Sequence, residues 1–175
     1  MCIRDRRPAI LWNDTRSAAE CAEMMTELPA LSELGGSLAM PGFTAPKLRW
    51  VARHEPEVFR QVAKVLLPKD HVRLMLTGEH VSDLSDASGT LWLDVRRRDW
   101  SDELLALTRL TRAHMPRLVE GSEAGGRLKA DVAQALGLRP GTVVAGGAGD
   151  NAASAVGMGA VEAGPVSYKH LTLPA

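Results

Sequence analysis

The sequence predicts an α/β chain on three observations. Short apolar runs at Ala9–Trp12, Val65–Leu67 and Val143–Ala145 have strand length. Between them lie stretches whose apolar residues recur at helical spacing, and glycine or proline punctuates nearly every junction. With 45% hydrophobic residues in 175, the chain has enough apolar material for a core.

Taken in order, Ala9–Trp12 reads as a buried strand running into Asn13-Asp14-Thr15 as a helix cap. Arg16–Leu28 carries Ala19, Cys21, Ala22, Met25 and Leu28 at helical spacing until Pro29 stops it. A Gly35-Gly36 turn leads to a second amphipathic helix over Ala45–His54, broken by Glu55-Pro56, and Phe59, Val62 and Ala63 continue a short helix. Val65–Leu67 predicts a brief strand closed by Pro68, and Lys69–Leu76 a helix that Gly78 terminates in the left-handed region. Ser82–Thr90 is dense in small side chains that bond their own backbone, and is expected to be irregular. Leu91–Val95 is a short strand candidate, and the flanking acids Asp94, Asp99 and Asp102 make Arg96-Arg97-Arg98 a solvated loop. Ser101 caps a helix expected to run through Leu110, and Leu128–Leu136 forms another that closes at Gly137. Val143–Ala145 then enters the loop Gly146-Gly147-Ala148-Gly149-Asp150-Asn151 and a small-residue helix over Ala152–Val156.

Lysine plus arginine and aspartate plus glutamate both number 21, so neither nucleic acid nor an anionic membrane surface is an expected partner. No apolar run approaches the roughly 20 residues of a membrane span. Two cysteines, Cys2 and Cys21, cannot build a disulfide framework or a thiolate metal cluster, and suit a reducing cytoplasm. Residues 1–6 and 166–175 differ in character from the rest and resemble translated sequencing-adapter sequence. They are read as a non-native leader and tail, and without them acids exceed bases by 20 to 18. Cys21 is then the single cysteine, on a helical stretch where a small buried hydrophobe is expected.

The compact site-like segment is the strand, glycine loop and helix start at Val143–Ala155. Glycines permit close backbone approach, and a helix N-terminus favours negative charge. Gly147-x-Gly149-x-x-Ala152 also matches the dinucleotide pattern, but an acid inside the loop would oppose a pyrophosphate. Asp150 has two readings from the residues alone. It is a helix cap, the commoner use of such an aspartate, or an open carboxylate that takes a proton from a hydroxyl attacking phosphorus.

The stretch Gly42-Phe-Thr-Ala-Pro-Lys47-Leu-Arg-Trp50-Val-Ala-Arg-His54 resembles the first signature of the FGGY family of carbohydrate kinases. Arg7-Pro-Ala-Ile-Leu-Trp-Asn-Asp-Thr-Arg16, Leu66-Leu-Pro-Lys-Asp70, Ser82-Asp-Leu-Ser-Asp-Ala-Ser-Gly-Thr90, Asp99-Trp-Ser101 and Gly149-Asp-Asn-Ala-Ala153 resemble blocks of its members that phosphorylate D-xylulose. The resemblance runs from about Arg7 to Gly164. It implies a partial ribonuclease H-like (actin-like ATPase) fold, with residues 7–146 in the N-terminal, sugar-binding domain and 147–165 as the hinge into the C-terminal domain.

It further implies an ATP-dependent, cytoplasmic sugar kinase with Mg²⁺ carried by the nucleotide. Its small-molecule substrate is a sugar, and its parent enzyme is a homodimer. Asp150 would be the general base, Asn151, Phe43 and Thr44 sugar contacts beside Gly42, and Gly147 and Gly149 cofactor-binding glycines. No metal-ligating residue is assigned, because the five histidines lack ligand spacing. Asp14 and Arg16 are expected to form a local structural pair. The family's Asp-x-Gly-Thr and Gly-Thr-Ser turns are not in this sequence, so the chain is expected to be an internal piece that does not turn over substrate by itself. A kinase for glycerol, gluconate or ribulose, and a non-catalytic actin-like nucleotide-binding module, are the alternative readings.

Overall fold

The computed structural model describes residues 7–161. The leader over 1–6 with Cys2, the tail over 166–175, and residues 162–165 of the expected hinge lie outside the described residues. The elements are mostly short helices, with strands paired two by two.

Helix α1 (Ala18–Glu27), α2 (Leu31–Gly35) and α3 (Thr44–His54) form one layer. Met24, Cys21, Leu31 and Ala45 pack there against Leu91, Trp92, Leu93 and Trp100, and against Leu104 and Leu105 of α7 (Asp102–Ala106). Cys21 is 4% exposed and burial pushes its thiol pKa up, as a structural cysteine requires. Both buried indoles have their N–H satisfied, Trp92 by Thr108 Oγ1 at 3.0 Å and Trp100 by Pro116 O at 2.9 Å. Across the outer face of α1 and α3, Arg49 pairs with Glu23 and Glu27, and Arg53 with Glu20 and Glu23.

Helix α4 (Pro56–Phe59) follows α3 through Glu55, as the Glu55-Pro56 break predicts. Helix α5 (Pro68–Thr77) has proline in its first turn and ends at Gly78 with φ 84°, the left-handed stop expected there. Strand β1 (Val81–Asp83) then enters α6 (Leu84–Ser88), and β1 pairs in parallel with β4 (Arg117–Val119) in the register Val81↔Arg117 and Asp83↔Val119. Strands β2 (Leu93–Asp94) and β3 (Asp99–Trp100) form a hairpin. Asp94 Oδ1 accepts from the N–H groups of Arg96 and Arg97, and Arg98 takes φ 58°. The arginine triplet is exposed and pairs with Glu33, Asp94 and Glu120, which is the solvated loop expected. A 3₁₀ turn (Arg112–His114) precedes β4. Strand β5 (Ala124–Arg127) pairs antiparallel with β6 (Val143–Ala145), and α8 (Ala130–Ala135) connects them, stopped at Gly137 with φ 65°. Helix α9 (Asp150–Gly157) completes the described chain.

Five expectations are corrected. The short helix expected to carry Phe59, Val62 and Ala63 ends at Phe59, and Val62 and Ala63 lie outside it. Ala9–Trp12 is not a strand: Leu11 and Trp12 are 61% and 81% exposed, and the run pairs with no strand among the described residues. Val65–Leu67 is extended but has no ladder, since only Val65 N–H finds a backbone partner, His114 O at 2.9 Å. Ser82–Thr90 is not irregular. Its small side chains cap and brace regular structure, with Asp83 accepting from Asp86 N–H at the start of α6 while Ser88 and Thr90 donate back to carbonyls. Helix α7 stops at Ala106 rather than Leu110. Arg109 takes φ 58° and Leu110 N–H reaches back to Leu105 O at 3.2 Å, the bond that closes a helix after a left-handed residue.

Candidate active site

The glycine loop is shaped by close backbone packing. Gly146 is buried where β6 leaves its sheet, and a Cβ there would lie 2.3 Å from Glu120 O, so only glycine fits. Its N–H donates to Glu123 O at 2.8 Å, and Gly147, at φ 79°, donates to Gly121 O at 2.9 Å. Arg73 of α5 donates to Gly146 O. Gly149 is the residue before α9, and its N–H donates to Ser85 Oγ of α6 at 3.1 Å. The N–H groups of Gly147 and Gly149 are therefore engaged within the chain, and the two residues present a side-chain-free surface.

Asp150 opens α9, exposed, with its Oδ1 accepting from Asn151 N–H at 2.7 Å. Asn151 stands exposed in the same turn. Beside them is a cleft of about 430 Å³, bounded among others by Ser85, Ser88, Gly121, Gly147, Ala148 and Ala152. Ala148 and Ala152, which flank Asp150 and Asn151 in sequence, line this cleft, and an exposed carboxylate at a helix start can accept a proton from a bound hydroxyl.

Behind the loop is a charged centre that the sequence reading passed over. Lys69 Nζ lies 2.7 Å from Asp70, 2.7 Å from Asp83 and 3.1 Å from Asp86. Burial opposes the ammonium charge, but hydrogen bonds to Asp70 and Asp83 raise the Lys69 pKa. Burial likewise acts against the Asp83 carboxylate, yet Lys69 and the Ser85 hydroxyl hold its pKa below the ordinary value. Asp86, with burial dominant over Lys69, is pushed up. Three carboxylates thus converge on an ammonium rather than on a metal, and no group of His, Cys, Asp and Glu among the described residues could cage an ion.

Phe43 and Thr44 belong to a different wall of the molecule. Phe43 is half-buried against the core, while Thr44 starts α3 and, with Gly42, Lys47, Ile10, Trp12 and others, lines a second cleft of about 460 Å³. Lys47 donates to Gly42 O at 2.8 Å, and burial lowers its pKa. Nearby, Asp14 accepts from the Arg16 backbone N–H at 2.9 Å and from its guanidinium at 2.8 Å, the local pair expected. The Arg16 guanidinium carbon also lies 4.9 Å from the centre of the Trp50 ring. The hydrogen bonds from the Arg16 side chain and backbone take the Asp14 pKa to about 2 from 3.8. Because the ionised form is the one held, its contribution is complete above about 3.8 and is lost as pH falls through about 2. A carboxyl-detected NMR titration should place the Asp14 midpoint near 2, and Arg16→Gln should return it toward 3.8. An unchanged midpoint in the variant would discard the pairing.

The described elements superpose on sugar kinases of the ribonuclease H-like, actin-like class of fold. The chain belongs to the FGGY family of carbohydrate kinases, whose N-terminal domain model matches residues 4–157. It is 60% identical to the xylulose kinase of Klebsiella pneumoniae over 90% of this chain and 32% of that protein, and equally identical to that of Escherichia coli (strain K12). Among solved structures, a xyloylose kinase from Brucella ovis superposes with TM-score 0.85 at 58% identity, covering 89% of this chain and 32% of that one. A gluconate kinase from Lactobacillus acidophilus, at TM-score 0.82 but 24% identity, shares the fold. The chain spans about a third of the length of the curated relatives it matches.

Proposed function

We propose that this chain is the N-terminal-domain part of an ATP-dependent cytoplasmic kinase that converts D-xylulose to D-xylulose 5-phosphate, with residues 147–165 as the hinge toward its C-terminal domain. The observation that carries the substrate is the 60% identity to xylulose kinases over nine-tenths of the chain. Asp150 accepts the proton of the primary hydroxyl as that oxygen bonds to the γ-phosphorus and the bond to the leaving ADP oxygen breaks; the proton then passes to solvent. MgATP supplies the phosphoryl group and the divalent charge. The carboxylates of this segment that cluster, Asp70, Asp83 and Asp86, all face Lys69, and Asp70 also faces Arg73, so the metal is left to the nucleotide.

In this reading Asn151, exposed one residue along the same helix turn, contacts the sugar beside Asp150, and Gly42 and Thr44, which line the second cleft with Phe43 behind them, are further sugar contacts. The test is ADP release by the full-length kinase with D-xylulose, ribulose, gluconate and glycerol. We expect kcat/KM to favour D-xylulose by about tenfold or more. A higher value for any of the other three would overturn the substrate while leaving the family intact.

A further inference from the structure

The hydroxyl of Ser85 has two hydrogen-bond partners, Asp83 and Gly149. It lies 2.6 Å from Asp83 Oδ2 and 3.1 Å from the Gly149 backbone nitrogen. Asp83 is held ionised by Lys69, so it can only accept, and the single Ser85 proton must go to it. A lone pair of Ser85 Oγ is thereby left facing Gly149 N–H. Asp83 has no side-chain freedom to lose: it is fully buried, caps α6 through Asp86 N–H at 3.0 Å, and sits on β1 beside β4. The other end of the same loop is held by Arg73 at Gly146 O. Gly149 also lies close on Asp86, where an added Cβ would come within 3.2 Å of Oδ1.

We propose that Ser85 is a positioning residue for phosphoryl transfer: with Asp83 and Lys69 behind it, it tethers the Gly149 N–H and so fixes where Asp150, the next residue, presents its carboxylate. The inference rests on the reading of Asp150 as proton acceptor. It does not make Ser85 a substrate contact. The tether joins α6 to the start of α9, segments 64 residues apart in sequence, and among the described residues it is the side-chain hydrogen bond made to Gly149. An error of about 1 Å in a reacting group can cost about 100-fold in rate.

The test compares Ser85→Ala and Ser85→Thr in the full-length kinase and follows amide exchange at Gly149. Expected are a fall in kcat of about 10- to 100-fold for alanine, KM values for sugar and ATP within about threefold because no substrate contact is lost, and faster Gly149 exchange. Threonine, which keeps the hydroxyl, should restore most of both. Unchanged kcat in an alanine variant whose parent phosphorylates sugar, or a threonine variant no better than alanine, would overturn the proposal. Should alanine prevent folding, exchange in the unsubstituted enzyme decides: a Gly149 amide no better protected than an open loop means there is no tether. A parent enzyme without sugar-dependent ADP release would instead defeat the functional reading, while Gly149 exchange still reports the tether itself.

Discussion

Asp150→Asn in the full-length kinase is expected to lower kcat by about 10²- to 10⁴-fold, the range for losing a positioned general base, with KM for the sugar changed by no more than about threefold. Asparagine suits the test because it nearly matches aspartate in shape. Its Oδ1 can still accept from Asn151 N–H, now at 2.7 Å, so the first turn of α9 keeps its geometry. What it cannot do is take a proton from the attacking hydroxyl. Asp150 is exposed and pairs with no basic side chain among the described residues, so the change removes a charge without orphaning a partner. Folding and thermal stability should therefore match the parent, which separates a chemical loss from a structural one. A variant with near-normal kcat would remove Asp150 from the chemistry and return it to the role of a first-turn acid.

How far the sequence was legible depended on how local the cause was. Gly78 and Gly137 stop helices, Ser101 caps α7 by accepting from Leu104 N–H, and Pro68 opens α5; each is decided by neighbours within one turn. The loop from Gly146 to Asp150 was legible too, because glycines before an acid at a helix start are a local pattern. Strand β5 was not: it contains Gly125 and Gly126, which weaken a strand pattern. They are needed because Cβ atoms there would lie 3.0 Å from Arg73 Nε and 2.8 Å from Thr77 Cβ.

Ala9–Trp12 misled for the opposite reason, since an apolar run says nothing about whether another strand lies alongside. The Lys69 centre and the Ser85 tether join α5, β1, α6 and the α9 loop, and no spacing in one dimension reveals such a meeting. The ion pairs of α1 with α3 were within reach. Glu20, Glu23 and Glu27 recur at helical spacing, as do Arg49 and Arg53, on two helices of opposite charge.

Arg73 carries the largest expected effect on stability. Its side chain is 5% exposed, and one guanidinium reaches three elements: Asp70 Oδ1 at 3.0 Å on α5, Val81 O at 2.8 Å on β1, and Gly146 O after β6. Arg73→Met keeps most of the buried stem but leaves two carbonyls without this donor, and leaves the fully buried Asp70 with Lys69 alone. Removing one partner of a buried pair costs about 3–5 kcal/mol, a large share of the roughly 5–15 kcal/mol of a typical domain. A drop in Tm on the order of 10 °C follows for a chain of this size, measurable by thermal or urea unfolding. Arg73→Lys should recover little, because a single ammonium cannot span Val81 O and Gly146 O as the planar fork does. Adding Asp70→Asn to Arg73→Met should return part of the loss, since it removes the buried charge that the methionine abandons. If Arg73→Met cost less than about 1 kcal/mol, near the ordinary cost of a point substitution, the guanidinium would not be what holds the glycine loop to the sheet.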